Sequence, residues 1–285
     1  MTTPGFDLYL PARLTTSVVF ASPHSGCDYT DSFRAASVLD DRAIRSSEDA
    51  FVDRLFMSAV DHGAPLLAAR VPRAFVDLNR GADELDSSVV EGVRRGGHNP
   101  RIASGLGVIP RVVSNGRAIY RGRIPLSEAQ ARLTRYWHPY HRALQSRIVT
   151  AQEMFGEAIL IDCHSMPHEA VDCVVRSGAR RPDVVLGDRF GASASTAVVG
   201  EIEAILTRAG LAVARNAPFA GAFVTQHYGR PSRRQHAVQI EIDRALYMDE
   251  RTITPRPDFE EFRKVIEAVI AEVTEIGRAL PLAAE

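Results

Sequence analysis

The sequence is poor in lysine, poor in cysteine and free of long apolar runs. Lys264 is the only lysine among 34 basic residues, and the formal net charge of the 285-residue chain is -1. Without excess positive charge the chain has no global field that attracts a polyanion, so we expect no nucleic-acid partner. A bilayer-spanning helix needs roughly 20 apolar residues, and no run approaches that length. We therefore expect no membrane partner either.

Three cysteines are present, at positions 27, 163 and 173, and none forms a CxxC pair. An odd number of cysteines without such a pair argues against a disulfide scaffold and favours a reducing compartment. The first residues, MTTPGFDLYL, lack the basic segment and apolar core that mark a secretory signal. We therefore expect a cytoplasmic protein.

Two widespread functional motifs are also missing. The chain has no GxSxG elbow, which argues against serine hydrolysis. The glycines between residues 92 and 107 form neither a P-loop nor a dinucleotide-binding pattern between a strand and a helix. A nucleotide cofactor is therefore not expected.

The pattern that is present is typical of an α/β fold. Hydrophobic residues make up 45% of the chain and charged residues 24%, which is ordinary for a globular protein. Short apolar runs alternate with helical periodicity, which indicates a largely parallel sheet covered by helices on both faces. The predicted strands are 17–22, 65–70, 74–78, 158–163, 171–175, 183–187, 211–215 and 237–242. The predicted helices are 49–62, 127 through 144, 196–209 and 260–278.

The stretch at about 91–125 interrupts this pattern. It is rich in glycine and arginine and shows no sustained period. Irregular stretches of roughly 30 residues are uncommon inside compact domains and are usually functional or mobile. We expect a loop excursion that leans over the functional site, within one domain spanning residues 1–285.

Polar side chains directly follow four of the predicted strands. In open α/β sheets the ligand crevice lies at the carboxyl ends of the strands, so these four ends are predicted to converge. The polar residues there are His24; Asp77, Asn79 and Arg80; Asp162 and His164; and Glu241 and Asp243.

Two histidines and a carboxylate are a familiar ligand set for catalytic zinc, which leaves a fourth position for water. His24 and His164 are the candidates, the alternative being core imidazoles that hydrogen-bond to the backbone. A further carboxylate must take the proton of the attacking water. Glu241 suits that role because an unpaired carboxylate in an apolar strand is costly. The alternative for Glu241 is an ion pair with a buried arginine.

Arg80 is open to two interpretations. It either supports the turn after residues 74–78 or clamps a substrate carboxylate with its planar fork. Asn79 and Gly81 leave the backbone free to present the side chain, which favours the clamp. By contrast, His138 and His141 lie on a predicted helix, and we expect them at the surface or at a helix end.

Several sequence blocks resemble those of the N-formylglutamate amidohydrolase family in order and spacing. That family is similar in fold to the zinc carboxypeptidases. The resemblance implies a three-layer α/β/α domain with a mixed, largely parallel sheet of about eight strands. The blocks extend from about residue 20 to 250 and are PHSG (23–26), EDAFVDRLF (48–56), VDLNR (76–80), YRGRIP (120–125), YWHPYH (136–141), DCHSMP (162–167), HYGRP (227–231) and QIEID (239–243).

The resemblance also implies roles for individual residues. His24 and His164 match the two histidine ligands of one Zn²⁺ ion, and Glu241 matches the general base and acid. Asn79 and Arg80 resemble an Asn-Arg pair that binds a substrate carboxylate.

The acidic zinc ligand is not fixed by the resemblance. The zinc carboxypeptidase pattern is His-x-x-Glu, whereas the third residue after His24 is Cys27. The start of the next predicted helix is the corresponding place, and there we choose Asp49. Neighbouring Glu48 is the close rival, and Asp28 is a third alternative.

Three functional hypotheses follow. The leading one is zinc-dependent hydrolysis of N-formyl-L-glutamate to formate and L-glutamate. This small dicarboxylic substrate needs two anion contacts, for which we expect Arg80 and either Arg121 or Arg123. The second hypothesis keeps the chemistry but takes another N-acyl amino acid or a small peptide. The third is a non-catalytic carboxylate-binding protein, against which Glu241 argues because such a protein has no use for a buried general base.

Overall fold

A seven-stranded mixed sheet forms the centre of the computed structural model, which describes residues 5–94, 99–172 and 180–278. A further two short strands form a separate antiparallel pair. The sheet strands are β1 (Phe6–Tyr9), β2 (Val18–Ser22), β3 (Leu66–Ala69), β4 (Ala158–Met166), β5 (Val184–Gly187), β6 (Val213–Arg215) and β7 (Gln235–Asp243), and the separate pair is β8 (Met248–Asp249) and β9 (Thr254–Pro255).

The strand order across the sheet is β1-β3-β2-β4-β7-β5-β6. The four central strands β3, β2, β4 and β7 run parallel to one another. β1 pairs antiparallel with β3, β5 pairs antiparallel with β7, and β6 runs parallel to β5. The predicted α/β class with a mixed, largely parallel sheet is confirmed, with seven strands in place of about eight.

Helices connect and cover the strands. In the described part of the chain none of them is long and apolar enough to cross a bilayer. A π-helical turn, Leu133–Trp137, joins the fourth and fifth helices. The α-helices are α1 (Asp31–Ala36), α2 (Val52–Leu55), α3 (Pro100–Ala103), α4 (Leu126–Arg132), α5 (His138–Phe155), α6 (Thr196–Arg208), α7 (Phe223–Tyr228) and α8 (Phe259–Ile276), and the 3₁₀ turns are Ala43–Arg45, Met57–Val60, His168–Val171, Pro231–Arg233 and Arg244–Leu246.

Two apolar clusters lie on opposite faces of the sheet. One packs strand residues such as Phe20 and Ile161 against α6 and α8. The other packs Leu160 against Tyr140 and Leu144 of α5. Successive residues of β4 enter different clusters because strand side chains alternate between faces. Burial on both faces explains the nearly continuous apolar runs in the sequence and gives the three-layer arrangement.

Helix ends carry recognisable local signals. The Ser195 side chain accepts a hydrogen bond from the Val198 backbone N–H at the start of α6, as a good N-cap does. Gly156 adopts φ 70° and ends α5, a left-handed conformation that glycine reaches without strain.

Six of the eight predicted strands are present, with small shifts at their ends. The prediction of a strand at 74–78 is wrong. Its residues turn, because the Phe75 and Val76 N–H groups both donate to the Pro72 carbonyl. The prediction for 171–175 places Val171 in a 3₁₀ turn, and positions 173–175 lie outside the described residues. Edge strand β1 was not predicted.

The single helix predicted for 49–62 is also wrong. The segment forms the four-residue α2 and a 3₁₀ turn, Met57–Val60. Phe51 has φ 67°, so the backbone leaves the right-handed helical region directly before α2. The Asp49 N–H donates to the His24 carbonyl, which pins the start of the segment to the end of β2. This departure from a regular helix fixes the position of the Asp49 side chain.

Candidate metal centre and active site

The register between β4 and β7 places four polar side chains next to one another. The strands are parallel, with Asp162 beside Gln239 and His164 beside Glu241. Residues two apart on a strand point to the same face, so all four side chains share one face of the sheet. They lie toward the carboxyl ends of the central parallel strands, where α/β sheets bind their ligands.

His24 and Asp49 join this group from the connecting segments. His24 lies two residues beyond β2. Asp49 Oδ2 lies 2.9 Å from His164 Nδ1 and 3.5 Å from His24 Nδ1. One potential ligand atom of each residue lies within 4.8 Å of the other two, and all three side chains are buried. The structure thus brings together the two histidines and the carboxylate that the sequence suggested as metal ligands.

A carboxylate contacts each histidine ring at Nε2, on the side away from Asp49. His24 Nε2 lies 2.7 Å from Asp77 Oδ1, and His164 Nε2 lies 3.0 Å from Asp162 Oδ2. In the neutral ring that donates its Nε2 proton to that carboxylate, which is the form that binds a metal, the Nδ1 lone pair faces Asp49. Such carboxylate–histidine pairs orient the ligands of protein metal sites. Within the described chain the buried His24 Nδ1 has no hydrogen-bond partner, so this donor set fits a metal ion.

The electrostatics of the cluster favour a cation at its centre. Burial lowers the pKa of His164, but Asp162 and Asp49 outweigh that effect and hold the pKa well above 6.5. Burial raises the pKa of Asp49, but the adjacent imidazoles of His164 and His24 hold the pKa well below 3.8. A positive charge between the His164 imidazole and the Asp49 carboxylate is therefore stabilised.

Arg244 fixes the orientation of the Asp49 carboxylate. It follows β7 directly, and its Nη2 donates to Asp49 Oδ1 at 3.0 Å. Its Nε donates to Ser165 Oγ at 3.2 Å. Since Arg244 takes one carboxylate oxygen, the other oxygen, Oδ2, faces the two histidines.

Glu241 is buried beside the cluster, with 8% of its surface exposed. Burial raises the pKa of Glu241 to about 7, and the nearby positive charge of His164 opposes the shift. Gln239 Nε2 donates to Glu241 Oε1 at 2.8 Å. The alternative of a buried ion pair for Glu241 does not occur within the described residues. The two arginines whose charges act on it pair elsewhere, Arg73 with Asp77 and Arg244 with Asp49.

A cavity of about 440 Å³ opens onto these groups. Its size is suited to a small molecule. The irregular segment at about 91–125 contributes to its wall, as does the loop before α7. Its polar lining includes His24, Asp49, Arg73, Asn79, Arg80, Arg101, His164, Gln239, Glu241 and Arg244.

Asn79 lines the cavity, but its amide is engaged within the protein. Its Nδ2 donates to Asp162 Oδ2 at 3.1 Å and lies 3.0 Å from His164 Nε2. Its Oδ1 accepts a hydrogen bond from the Val224 N–H at 2.7 Å. Asn79 therefore braces the carboxylate–histidine pair on β4 against the start of α7.

Arg80 is buried, with 6% of its surface exposed. Its Nε donates to the Leu106 carbonyl at 2.8 Å and its Nη1 to the Asn79 carbonyl at 2.7 Å. No carboxylate oxygen of the described residues lies within 4.0 Å of its guanidinium, which makes this buried charge a candidate anion-binding group.

The rival acidic ligands are engaged elsewhere. Glu48 accepts hydrogen bonds from Arg45 Nε at 2.7 Å and from the Tyr29 hydroxyl at 3.0 Å. Asp28 forms an ion pair of 2.8 Å with Arg70 near the surface. Neither belongs to the His24–Asp49–His164 cluster.

Arg121 and Arg123, predicted to contact a second carboxylate, are exposed and do not line the cavity. β-bridges on either side of them hold this part of the segment elsewhere. Tyr120 pairs with Ser37, and Ile124 pairs with Val90. The arginine that the irregular segment does bring to the cavity is Arg101.

Comparison with known proteins identifies the family of the chain. The sequence profile of N-formylglutamate amidohydrolase matches residues 16–248, most of the chain. The chain belongs to the N-formylglutamate amidohydrolase family. It is 33% identical to the N-formylglutamate deformylase of Pseudomonas aeruginosa over 263 residues, which cover 90% of this chain and 91% of that protein. The family resemblance found in the sequence blocks is therefore confirmed.

Two further relatives have the same family name. The N-formylglutamate deformylase of Pseudomonas putida is 29% identical over 257 residues, covering 87% of this chain and 88% of that protein. The crystal structure of N-formylglutamate amidohydrolase from Ralstonia eutropha JMP134 superposes with a TM-score of 0.90 at 33% identity. The match covers 96% of this chain and 99% of that one.

Gln239, Arg244 and Arg101 are among the cavity residues of this N-formylglutamate amidohydrolase family member that sequence reasoning missed. Gln239 could have been found, because it lies two residues before Glu241 on the same strand face. Arg244 follows the QIEID block directly, and its position just beyond the strand end was a weaker signal. No local pattern pointed to Arg101, which lies on the four-residue α3.

His141 was wrongly expected at the surface or at a helix end. It is buried on α5, where its Nε2 lies 2.9 Å from the Leu78 carbonyl and its Nδ1 lies 2.9 Å from the Tyr228 hydroxyl. Burial lowers the pKa of His141 to about 3, so the ring is neutral. His138, in contrast, is exposed as expected.

Proposed function

We propose that this chain hydrolyses N-formyl-L-glutamate to formate and L-glutamate, using a metal ion held by His24, Asp49 and His164. The observation that carries this proposal is the convergence of these three buried side chains beside the buried carboxylate of Glu241. The family of the chain and the names of its relatives supply the substrate.

One Zn²⁺ ion is the metal that suits a site of two imidazoles and one carboxylate, with a coordination position left for water or substrate. Bound there, it would polarise the formyl carbonyl and make water more acidic. Asp77 and Asp162 hold the two imidazole rings, and Arg244 holds the Asp49 carboxylate. The ligands are thus oriented by contacts within the protein.

Glu241 is the proposed general base and acid. It takes a proton from the water that attacks the formyl carbon. The C–N bond then breaks, and Glu241 returns the proton to the departing glutamate nitrogen, so that formate and glutamate result. A pKa of about 7, raised by burial, suits both halves of this transfer near neutral pH. The hydrogen bond from Gln239 orients the carboxylate.

Arg80 is the proposed partner of one substrate carboxylate. Its charge is buried, lines the cavity and has no acidic partner among the described residues. A carboxylate at this place would accept charge-assisted hydrogen bonds from the free guanidinium N–H groups. Asn79 supports the site differently: its amide donates to Asp162, the carboxylate that orients His164.

A Glu241→Gln variant tests the proposal. Gln keeps the shape of the side chain but cannot take a proton. We expect kcat for formate release from N-formyl-L-glutamate to fall by at least about 100-fold. The content of bound zinc, measured by elemental mass spectrometry, is expected to stay the same.

Glu153→Gln is the matched control, because Glu153 lies exposed on α5 away from the cavity. It should retain the activity of the unaltered protein. A Glu241→Gln variant that turns over at the unaltered rate would remove Glu241 from the mechanism.

A further inference from the structure

Among the described residues, four arginines line the cavity, and two of them are neutralised by carboxylates of the site. Arg73 Nε lies 3.2 Å from Asp77 Oδ2, and Arg244 Nη2 lies 3.0 Å from Asp49 Oδ1. The guanidinium groups of Arg73 and Arg244 are therefore engaged in ion pairs that orient the candidate metal-ligand cluster. The remaining two are Arg80 and Arg101.

Arg101 has no acidic partner in the described part of the chain. Its Nη2 donates to the Gly221 carbonyl at 3.2 Å, and no carboxylate oxygen there lies within 4.0 Å of its guanidinium. Glu84, which lines the neighbouring depression together with the acidic Asp83, accepts hydrogen bonds from the Gly81 N–H and from Asn99 Nδ2. Among the described residues, only the Gly221 carbonyl accepts a hydrogen bond from the Arg101 guanidinium.

The charge of Arg101 also acts on Arg80. Burial lowers the pKa of Arg80, and the charges of Arg73 and Arg101 lower it further against the attraction of Asp77. Like charges in a partly buried cavity repel, and bound anions remove that repulsion. Two uncompensated guanidinium groups in one cavity match a ligand with two carboxylates.

We propose that Arg101 binds the side-chain carboxylate of the substrate and thereby selects dicarboxylic N-formyl amino acids over neutral ones. This assignment rests on the proposed deformylase function. Arg101 also borders the open depression next to the cavity, so it lies at the outer edge of the site. In N-formylglutamate the side-chain carboxylate is farther from the scissile amide than the α-carboxylate. The outer arginine therefore meets the side chain, and the deeper Arg80 meets the α-carboxylate.

Three substrates and one variant test this assignment. N-formyl-L-glutamine lacks the side-chain charge, and N-formyl-L-isoglutamine lacks the α-charge. In Arg101→Gln we expect kcat/KM for N-formyl-L-glutamate to fall about 100-fold or more, because a charge-assisted contact is lost. For N-formyl-L-glutamine we expect a change of less than about threefold, because that substrate never made the contact. For N-formyl-L-isoglutamine, which keeps the side-chain carboxylate, the fall should match that for N-formyl-L-glutamate.

Two further variants separate recognition from structure. Arg117→Gln alters an exposed arginine of the same irregular segment and should leave all three substrates unchanged. Arg101→Lys keeps the charge but not the planar fork and should recover part of the preference for glutamate over glutamine. Loss of the Gly221 contact would slow all three substrates equally, which distinguishes that effect from lost recognition.

Two outcomes would overturn the assignment, and they are distinguishable. If Arg101→Gln slows N-formyl-L-glutamate and N-formyl-L-glutamine by the same factor, Arg101 is not the side-chain contact, although the deformylase proposal stands. If the unaltered, zinc-loaded protein releases no formate from N-formyl-L-glutamate, the proposed function fails and the assignment fails with it.

Discussion

At the scale of single residues, the candidate metal ligands depend on the carboxylates behind them. Asp77 and Asp162 are almost completely buried and each contacts the Nε2 atom of one histidine. Burial raises the pKa of Asp77, but the charges of His24, Arg80 and Arg73 hold it well below 3.8. Asp77 therefore stays ionised and keeps the His24 ring turned toward Asp49.

Replacing either supporting carboxylate should weaken metal binding. In Asp77→Asn and Asp162→Asn we expect zinc affinity to fall about 10- to 100-fold. Each substitution removes the carboxylate that orients one histidine ring and makes that ring a stronger base. Competition with a chromophoric zinc chelator measures this affinity. Asp61→Asn, at an exposed position, is the control. Affinity in both site variants equal to that of the control would contradict the supporting role.

The sequence was informative at this scale where a residue sits at a strand end. His24, His164 and Glu241 could be predicted because each follows or ends a buried apolar run. Asp49 was preferred to Glu48 from the sequence, and the structure places Asp49, not Glu48, beside the two histidines, in a segment whose backbone departs from a regular helix at Phe51.

Arg101 could not be predicted, because its place in the cavity depends on how a segment without periodicity folds back over the sheet. The same physical reason explains why the predicted contacts Arg121 and Arg123 do not line the cavity. They lie in that segment too, but bridges at Tyr120 and Ile124 attach their part of it elsewhere.

At the scale of elements, His141 joins three parts of the fold. The two ring nitrogens of His141 link α5 to the turn at Leu78 and to the end of α7 at Tyr228. The neutral ring satisfies both contacts, with Nε2–H donating to the carbonyl and Nδ1 accepting from the hydroxyl. A protonated ring would lose the contact at Nδ1 and bury a charge.

His141 should make folding stability depend on pH. Its pKa is about 3 in the folded protein, against about 6.5 in the unfolded chain. Below pH 6.5 the unfolded chain takes up a proton that the folded protein does not, so the free energy of unfolding falls as the pH falls toward 3. The loss between pH 7 and pH 5 should be about 2 kcal/mol.

Urea unfolding of the metal-free protein at several pH values measures this contribution. A His141→Gln variant keeps a donor for the Leu78 carbonyl but has no titrating ring. Its free energy of unfolding should decline less steeply between pH 7 and pH 5, by about that same 2 kcal/mol. An identical decline in the two proteins would show that His141 does not carry the effect.

Elements themselves were predictable to the extent that burial produces a pattern. Strands β2, β4 and β7 were found because both faces are covered, which makes their sequences continuously apolar. The same rule produced the error at 74–78, where Ala74, Val76 and Leu78 are buried in a turning segment. Apolar content reports burial, whereas the hydrogen bonds at Pro72 decide the backbone course.

At the scale of the whole molecule, the candidate site is assembled from segments that are distant in the sequence. His24, Asp49, His164 and Glu241 come together only when the central strands pair in register. The sheet therefore serves as the scaffold: β4 and β7 carry His164 and Glu241, and the connections at its carboxyl end carry His24, Asp49 and the arginines. The candidate metal ligands, the candidate base and the candidate anion-binding arginines line one cavity of about 440 Å³, a size that suits a small molecule.

The central claim is that one metal ion at the His24–Asp49–His164 cluster is required for deformylation. The most direct test is to strip the protein of metal with a chelator, remove the chelator, and add zinc back in steps while measuring formate release from N-formyl-L-glutamate. We expect no release from the metal-free protein and a rate that rises linearly to a plateau at one zinc per chain. Formate release at the full rate by protein shown by elemental analysis to contain no metal would contradict the account.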